Sequence, residues 1–346
     1  MKAELILENG MRFVGELFGD TREVVGEVVF STGMAVGYQE AITNPASAGQ
    51  IVVTTFPLIG NYGANSIDME SDKAYMTALI VREKCDFPSN FRCEKTLEDF
   101  MKEQGVVGLS GIDTRALTRV IRDNGTMRGA IVTEEISHSE AMDRINKFDR
   151  AGLVMSVTTK EKYVYSDKGD KNVAVIDLGV KKSTLSELAR RNAKVTVFPA
   201  NSSADDILAI NPDVVFVSDG PGNPEDAPAI ETAKALLGKV KVCSVALGHM
   251  VVALALGCDV KKLSFGHHGS YPVKDLASGK VFITAQNDNY VISTLAGGVT
   301  ETFKNVNDGT IAGFECKDKN AYGVLFAPNG GDKVFEDGFV FDGFLG

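Results

Sequence analysis

Residues Val242-Cys243-Ser244-Val245-Ala246-Leu247-Gly248-His249-Met250 place a thiol, a hydroxyl and an imidazole close together in the chain. An apolar strand, one small residue, Gly-His and the apolar run Val251 to Leu256 describe a nucleophile elbow. Such an elbow is a sharp strand-to-helix turn that holds one side chain outward where backbone N–H groups converge. That is a setting for covalent catalysis by a thiol or hydroxyl. The tip of this elbow is Ala246, whose methyl group is no nucleophile. Cys243 and Ser244 lie before the tip, within the strand, where successive side chains face opposite ways. Both are read as small buried residues. His249, at the start of the helix, is read as a hydrogen-bonded structural residue rather than a base.

The elements that must position this turn follow from hydrophobic patterning. Val173–Ile176, Val195–Phe198, Val214–Val217 and Lys241–Val245 are predicted strands, apolar along nearly their whole length. Helical segments are predicted between them over Ser183–Arg191, Ala204–Ile210 and Ala227–Leu237. This β-α-β rhythm predicts a doubly wound, mostly parallel sheet covered on both faces. Ligands on such sheets bind at the carboxyl ends of the strands, where Gly220-Pro221-Gly222 and the elbow both fall. The first half has a different texture. Glu4–Leu7, Phe13–Leu17 and Gly26–Phe30 read as strands, followed by helical patterns over Leu97–Lys102 and Thr114–Arg122, the latter with Asp113 at its N-cap. The polar stretch 158–172 reads as a linker. The chain is therefore expected to be α/β overall: a strand-rich α+β domain over 1–157, a linker over 158–172 and a doubly wound domain over 173–346.

A length of 346 residues suits two domains, and the net charge of −10 argues against a nucleic-acid partner. No run of about 18 apolar residues offers a membrane span. The five cysteines, Cys85, Cys93, Cys243, Cys258 and Cys316, form no Cys-x-x-Cys pair. Reduced thiols and a cytoplasmic location are expected, with no metal site and no cofactor. His267-His268 is read as structural. Arg115, Arg119 and Arg122 on the predicted helix are read equally as a partner contact or a solvated face.

Across nearly its whole length the chain resembles the small subunit of carbamoyl-phosphate synthetase. The elbow resembles the Cys-Leu-Gly-His-Gln turn of class I glutamine amidotransferases, with Ala246 at the cysteine position and Met250 at the glutamine. In the first half the matching stretches are Gly26-Glu27-Val28-Val29-Phe30-Ser31-Thr32-Gly33-Met34, Gly37-Tyr38-Gln39-Glu40, Pro57-Leu58-Ile59-Gly60-Asn61-Tyr62-Gly63 and Gly111-Ile112-Asp113-Thr114-Arg115-Ala116-Leu117-Thr118-Arg119. In the second they are Asp177-Leu178-Gly179-Val180-Lys181, Ser218-Asp219-Gly220-Pro221-Gly222-Asn223-Pro224, Phe265-Gly266-His267-His268-Gly269 and Pro272-Val273-Lys274-Asp275. The resemblance implies an N-terminal β/β/α-like domain that docks on a large, ATP-dependent subunit, and a glutaminase domain whose ammonia passes to that subunit. Carbamoyl phosphate for arginine and pyrimidine synthesis is the family's product.

That chemistry needs a thiolate, a histidine to activate it and a carboxylate to orient the histidine. The family's His-Pro-Glu motif matches Ala327-Pro328-Asn329, so only the proline survives. The four histidines are His138, His249, His267 and His268, so none lies late enough to substitute. The implied glutamine-binding positions are mixed. The family's Gln-Asn-His-Gly-Phe loop is Gln286-Asn287-Asp288-Asn289-Tyr290, and the serine of its Asp-Pro-Ser segment is Ala46. Gly220, Gly222 and Leu247 are retained, and their backbone groups would line an oxyanion and substrate cradle. Features set by backbone persist, while those set by side chains are gone. The expected function is a pseudo-glutaminase, a structural or regulatory partner of the large subunit. Two alternatives stand beside it: a stand-alone small-metabolite-binding module, and a glutaminase with a rearranged site. Asn287 and Asp288 beside the retained cradle favour weak binding of glutamine or another small polar ligand.

Overall fold

The computed structural model describes residues 1–33, 37–133, 135–328 and 337–346. The chain divides into two compact units, Met1–Arg150 with Ser264–Gly269, and Ala151–Leu263 with Ser270–Gly346.

The strands of the first unit are β1 (Lys2–Leu7), β2 (Arg12–Gly19), β3 (Val24–Ser31), β4 (Gln50–Thr54), β5 (Leu58–Ile59), β6 (Ala78–Ile80), β7 (Glu83–Lys84), β8 (Val107–Ser110) and β9 (Met127–Thr133). Its helices are α1 (Tyr38–Thr43), α2 (Leu97–Gln104), α3 (Thr114–Asn124) and α4 (His138–Lys147). Seven strands close into a barrel in the order β1-β2-β8-β6-β4-β3-β9, with β9 returning to β1. Period-two alternation sorts the side chains. Leu5, Leu7, Ile51, Val53, Ala78 and Ile80 cluster with Leu117 and Ile121 of α3. Their neighbours Val52 and Leu79 join Phe100 and Met101 of α2 in a separate cluster, while Ile6 packs with Ala141 and Ile145 of α4. Both faces of these strands are therefore buried. The segment Ser264–Gly269 is tied into the same unit, where the Thr126 N–H donates to the Ser264 carbonyl (2.6 Å) and the Thr32 N–H to that of His268 (3.1 Å).

The second unit contains α5 (Leu153–Val157), β10 (Tyr163–Ser166), β11 (Lys171–Asp177), α6 (Lys182–Arg190), β12 (Ala193–Pro199), α7 (Ala204–Leu208), β13 (Val214–Val217) and α8 (Ile230–Leu236). It continues through β14 (Lys241–Val245), α9 (Leu247–Ala255), β15 (Asp259–Asp275), β16 (Val281–Thr294), β17 (Thr300–Asn305), β18 (Ile311–Cys316), β19 (Ala321–Val324) and α10 (Phe339–Leu345). The ten strands form one sheet in the order β10-β12-β11-β13-β14-β19-β18-β16-β15-β17. The pairings β12–β11, β11–β13, β13–β14 and β14–β19 are parallel, and β18 is antiparallel to β19. The parallel strands are buried along almost their full length, which is why they read as continuous apolar runs.

Three expectations differ from this architecture. The first unit ends at Arg150 rather than at residue 157, because Val154 of α5 joins the core of the second unit and the Thr158 hydroxyl donates to the Asp177 carbonyl (2.6 Å). The stretch 158–172 is not a linker throughout, since β10 within it pairs antiparallel with β12. The helix expected over Ala227–Leu237 begins only at Ile230. Ala227 precedes Pro228 and is extended, with ψ 128°, as a residue before proline prefers. Among the described residues no helix is long and apolar enough to cross a membrane.

The Asp113 side chain caps α3 as expected, accepting from the Ala116 N–H at 2.9 Å. Replacing it with alanine should lower stability by about 1 kcal/mol. A urea titration of Asp113→Ala should show an earlier midpoint with unchanged slope, and Asp113→Asn, whose amide oxygen can accept the same bond, should recover most of the loss.

Candidate functional site

The elbow exists as a backbone feature. Ala246 joins β14 to α9 at φ 46° and ψ −115°. The other described non-glycine residues with positive φ are Asn192, Asn211 and Asn320, a type that tolerates this region, whereas alanine does not. Such a conformation costs on the order of 1–3 kcal/mol and persists only where the surroundings enforce it. Here the Ala246 N–H donates to the Val324 carbonyl (2.9 Å) and the Gly248 N–H to that of Ser218 (3.0 Å). A Cβ on Gly248 would lie 2.3 Å from the Val217 carbonyl oxygen, so only glycine lets α9 start so close to the end of β13. The Leu247 N–H belongs to the first turn of α9, whose amides have no intrahelical acceptor.

Parallel register lines up the strand ends around this turn. Val217 is opposite Ser244, and Val245 is opposite Val324. The loop Ser218-Asp219-Gly220-Pro221-Gly222 therefore flanks Ala246 on one side, and Leu325-Phe326-Ala327 on the other. Gly220 is packed so tightly that a Cβ would sit 2.1 Å from the Leu178 carbonyl oxygen, and Gly222 has φ 100°. Behind the loop, the Ser218 hydroxyl accepts from the Leu178 N–H at 3.0 Å. The Ala327 N–H donates to the Ala285 carbonyl of β16 (3.0 Å), which brings the segment Ala285–Tyr290 to the same end of the sheet.

Neither Ala246 at the tip nor Ala327 beside it carries a group that can attack or shuttle a proton. Ala246 and Ala327 carry methyl groups, Met250 is buried in the core, and Asn329 lies outside the described residues. Cys243 is buried with its thiol toward the Phe344 carbonyl (3.7 Å), and burial pushes its pKa up to about 12. The Ser244 hydroxyl donates to the Tyr322 carbonyl (3.1 Å). His249 is fully buried against the Phe314 ring, with centroids 4.8 Å apart. The Gly323 backbone lies against its ring and acts to raise its pKa, an effect that burial outweighs. Neither ring nitrogen makes a hydrogen bond of good geometry among the described residues, and burial drives its pKa down to about 3.

Gly220, Gly222, Leu247, Asn287, Asn289 and Tyr290 belong to the second unit together with Ala246 and Ala327. Asn287, Asn289 and Tyr290 are half-buried on β16. Ala46 belongs to the first unit, on the short turn Pro45–Ser47, where its N–H donates to the Asn44 side chain (3.0 Å). Arg115, Arg119 and Arg122 are exposed on α3.

Two residues that the sequence reading passed over emerge beside Asp288. Asp219 is 2% exposed and Gln286 is 4% exposed, on the same face of β16 as Asp288. Burial, reinforced by the charge of Asp219, holds the Asp288 carboxyl well above the usual carboxylate range. The only signal in the sequence was an acid inside a Gly-Pro-Gly loop, which its glycines overshadowed.

Two outcomes follow from this geometry. Glycine adopts the Ala246 conformation freely, so Ala246→Gly should raise stability by about 1 kcal/mol, whereas β-branched Ala246→Val should lower it by more than that. Thermal denaturation of both variants checks this. His249 has a folded pKa near 3 against about 6.5 unfolded, so the unfolded chain binds the extra proton. Its neutral form contributes no penalty above pH 6.5, and stability drains away as pH falls from there toward 3. In His249→Met that portion of the acid loss should vanish, read as the difference between two urea-stability profiles across this window.

The carbamoyl-phosphate synthase small chain, CPSase domain family matches residues 5–131, and the class-I glutamine amidotransferase family matches residues 174–346. The carbamoyl phosphate synthase small chain of Clostridium perfringens is 46% identical over 347 residues, covering 100% of this chain and 99% of its own. That of Bacillus caldolyticus is 44% identical, covering 100% and 96%. A carbamoyl phosphate synthase pyrimidine-specific small chain from Halalkalibacterium halodurans is 43% identical, again covering 100% and 96%.

Proposed function

The chain belongs to the carbamoyl-phosphate synthase small-chain family, and on that premise we propose that it is a pseudo-glutaminase: a small subunit that completes the synthetase without hydrolysing glutamine. One observation carries this reading. The strained turn that would aim a nucleophile is intact, yet it presents the Ala246 methyl group, and Ala327 follows β19 where a proton-transferring side chain would have to stand. Loss of a triad nucleophile alone costs on the order of a millionfold in turnover. Here nucleophile and base are missing together, and Cys243 and His249, the nearest thiol and imidazole, are buried in forms that cannot act.

In this reading the small subunit contributes docking and regulation to an ATP-dependent large subunit, which takes free ammonia. Carbamoyl phosphate then feeds pyrimidine synthesis, the role named for the Halalkalibacterium relative, with arginine synthesis the other outlet. A cytoplasmic location fits a partner that consumes ATP. The five described cysteines are all free thiols, as such a compartment allows.

The test is carbamoyl-phosphate formation by this chain with a large subunit from the same organism. Ammonium should support the reaction and glutamine should not. Ala246→Cys alone should leave glutamine-dependent activity at background, since no base faces the restored thiol. The triple change Ala246→Cys, Ala327→His, Asn329→Glu should raise it. Glutamine-dependent synthesis by the unaltered chain, free of contaminating glutaminase, would overturn the proposal.

A further inference from the structure

We propose that the disabled end of the sheet has become a binding site for an ammonium group, with Asp288, Asp219 and Gln286 as its acceptors. The inference stands apart from the pairing with a large subunit, because binding is a property of this chain alone.

The residues around Ala246 form an unusual inventory. The strand ends carry only methyl groups at Ala246 and Ala327. At the same end of the sheet, buried side chains supply acceptors. Asp288 Oδ2 is buried and has no hydrogen-bond partner among the described residues. Gln286, two residues earlier on the same face of β16, donates its Nε2 to the Thr284 hydroxyl (3.1 Å). That bond turns Gln286 Oε1 away as a second buried acceptor without a partner. Asp219 approaches from the loop after β13, near enough for its charge to act on Asp288.

A buried acceptor left unmade costs on the order of 1–3 kcal/mol, more when charged, so two on one face are a deficit that a ligand can repair. The repair must come from a donor, and next to two carboxylates it must come from a cation. A metal ion would demand several strong oxygen ligands in a closed shell, and among the described residues no group of three or more His, Cys, Asp and Glu gathers for one. An ammonium group matches instead: one positive charge and three or four N–H donors directed at separate acceptors. Its charge would also relieve the repulsion between Asp219 and Asp288, which otherwise forces a proton onto the pair.

The probe is ammonium chloride added to the isolated chain at pH 7.5, compared with sodium and potassium chloride at equal ionic strength. Thermal denaturation should show a Tm that climbs with ammonium concentration and saturates, with little change in sodium or potassium. Asp288→Asn keeps the shape and removes the charge. It should melt higher than the unaltered chain in sodium buffer, which also reports that it folds, and should lose the ammonium shift. Asp219→Asn should weaken the shift. Methylammonium tested the same way identifies the source: a matching shift assigns the site to a small primary amine, and none assigns it to the free ion. Equal shifts in ammonium and potassium, or an ammonium shift that survives in Asp288→Asn, would overturn the proposal. Synthesis by the complex reads the large-subunit pairing separately, so the two ideas fail independently.

Discussion

The second unit turns on the backbone between Val245 and Gly248. At Ala246 the chain reverses from strand to helix in a conformation alanine resists, held by bonds to the strands on either side: the Ala246 N–H to β19 and the Gly248 N–H to the carbonyl after β13. Gly248 makes the packing possible, since any side chain there would collide with the Val217 carbonyl. Such turns are usually explained by the nucleophile they present. This one presents none and survives, which locates its cause in the sheet. A helix of buried apolar residues, Val251 to Ala253, must descend onto β14 and β19 immediately after the strand ends, and no relaxed dihedral pair turns the chain so sharply. The strain belongs to the architecture rather than to the side chain the turn presents.

This separates two kinds of information at one place. Backbone features such as the glycine loop after β13 and the first amides of α9 are locked in by packing, because changing them means moving strands. Side chains at the strand ends face outward from that packing and are replaceable one at a time. What has accumulated there is electrostatically odd. Two carboxyls share a buried region, and His249 lies uncharged in the core.

The doubly wound half was legible because parallel strands covered on both faces carry continuous apolar runs, and Val173–Ile176 or Val214–Val217 admit few other readings. The barrel half was legible only as strands. Its closure depends on β9 returning to β1 across most of the unit, a pairing of Leu5 with Ile131 that no local pattern encodes. Strand β10 was hidden because Tyr163, Val164 and Tyr165 are exposed and sit among charges, the dress of an edge strand that resembles a linker. At the site, the small residues Ala246 and Ala327 were readable position by position, whereas the buried acceptors near them were not. Asp219 and Gln286 acquire meaning only from their burial and from the register that carries β16 to the end of β19.

The barrel is also not finished by its own stretch of chain. Ser264–Gly269 belongs to it, and the bonds from Thr126 and Thr32 wait for the carbonyls of Ser264 and His268. A ribosome delivers that segment only after the parallel strands β11 to β14 and the elbow have emerged. The first unit can thus collapse early around its apolar interior, but it reaches its final set of hydrogen bonds late, in step with its neighbour. Maturation of the earlier half is thereby timed by synthesis of the later.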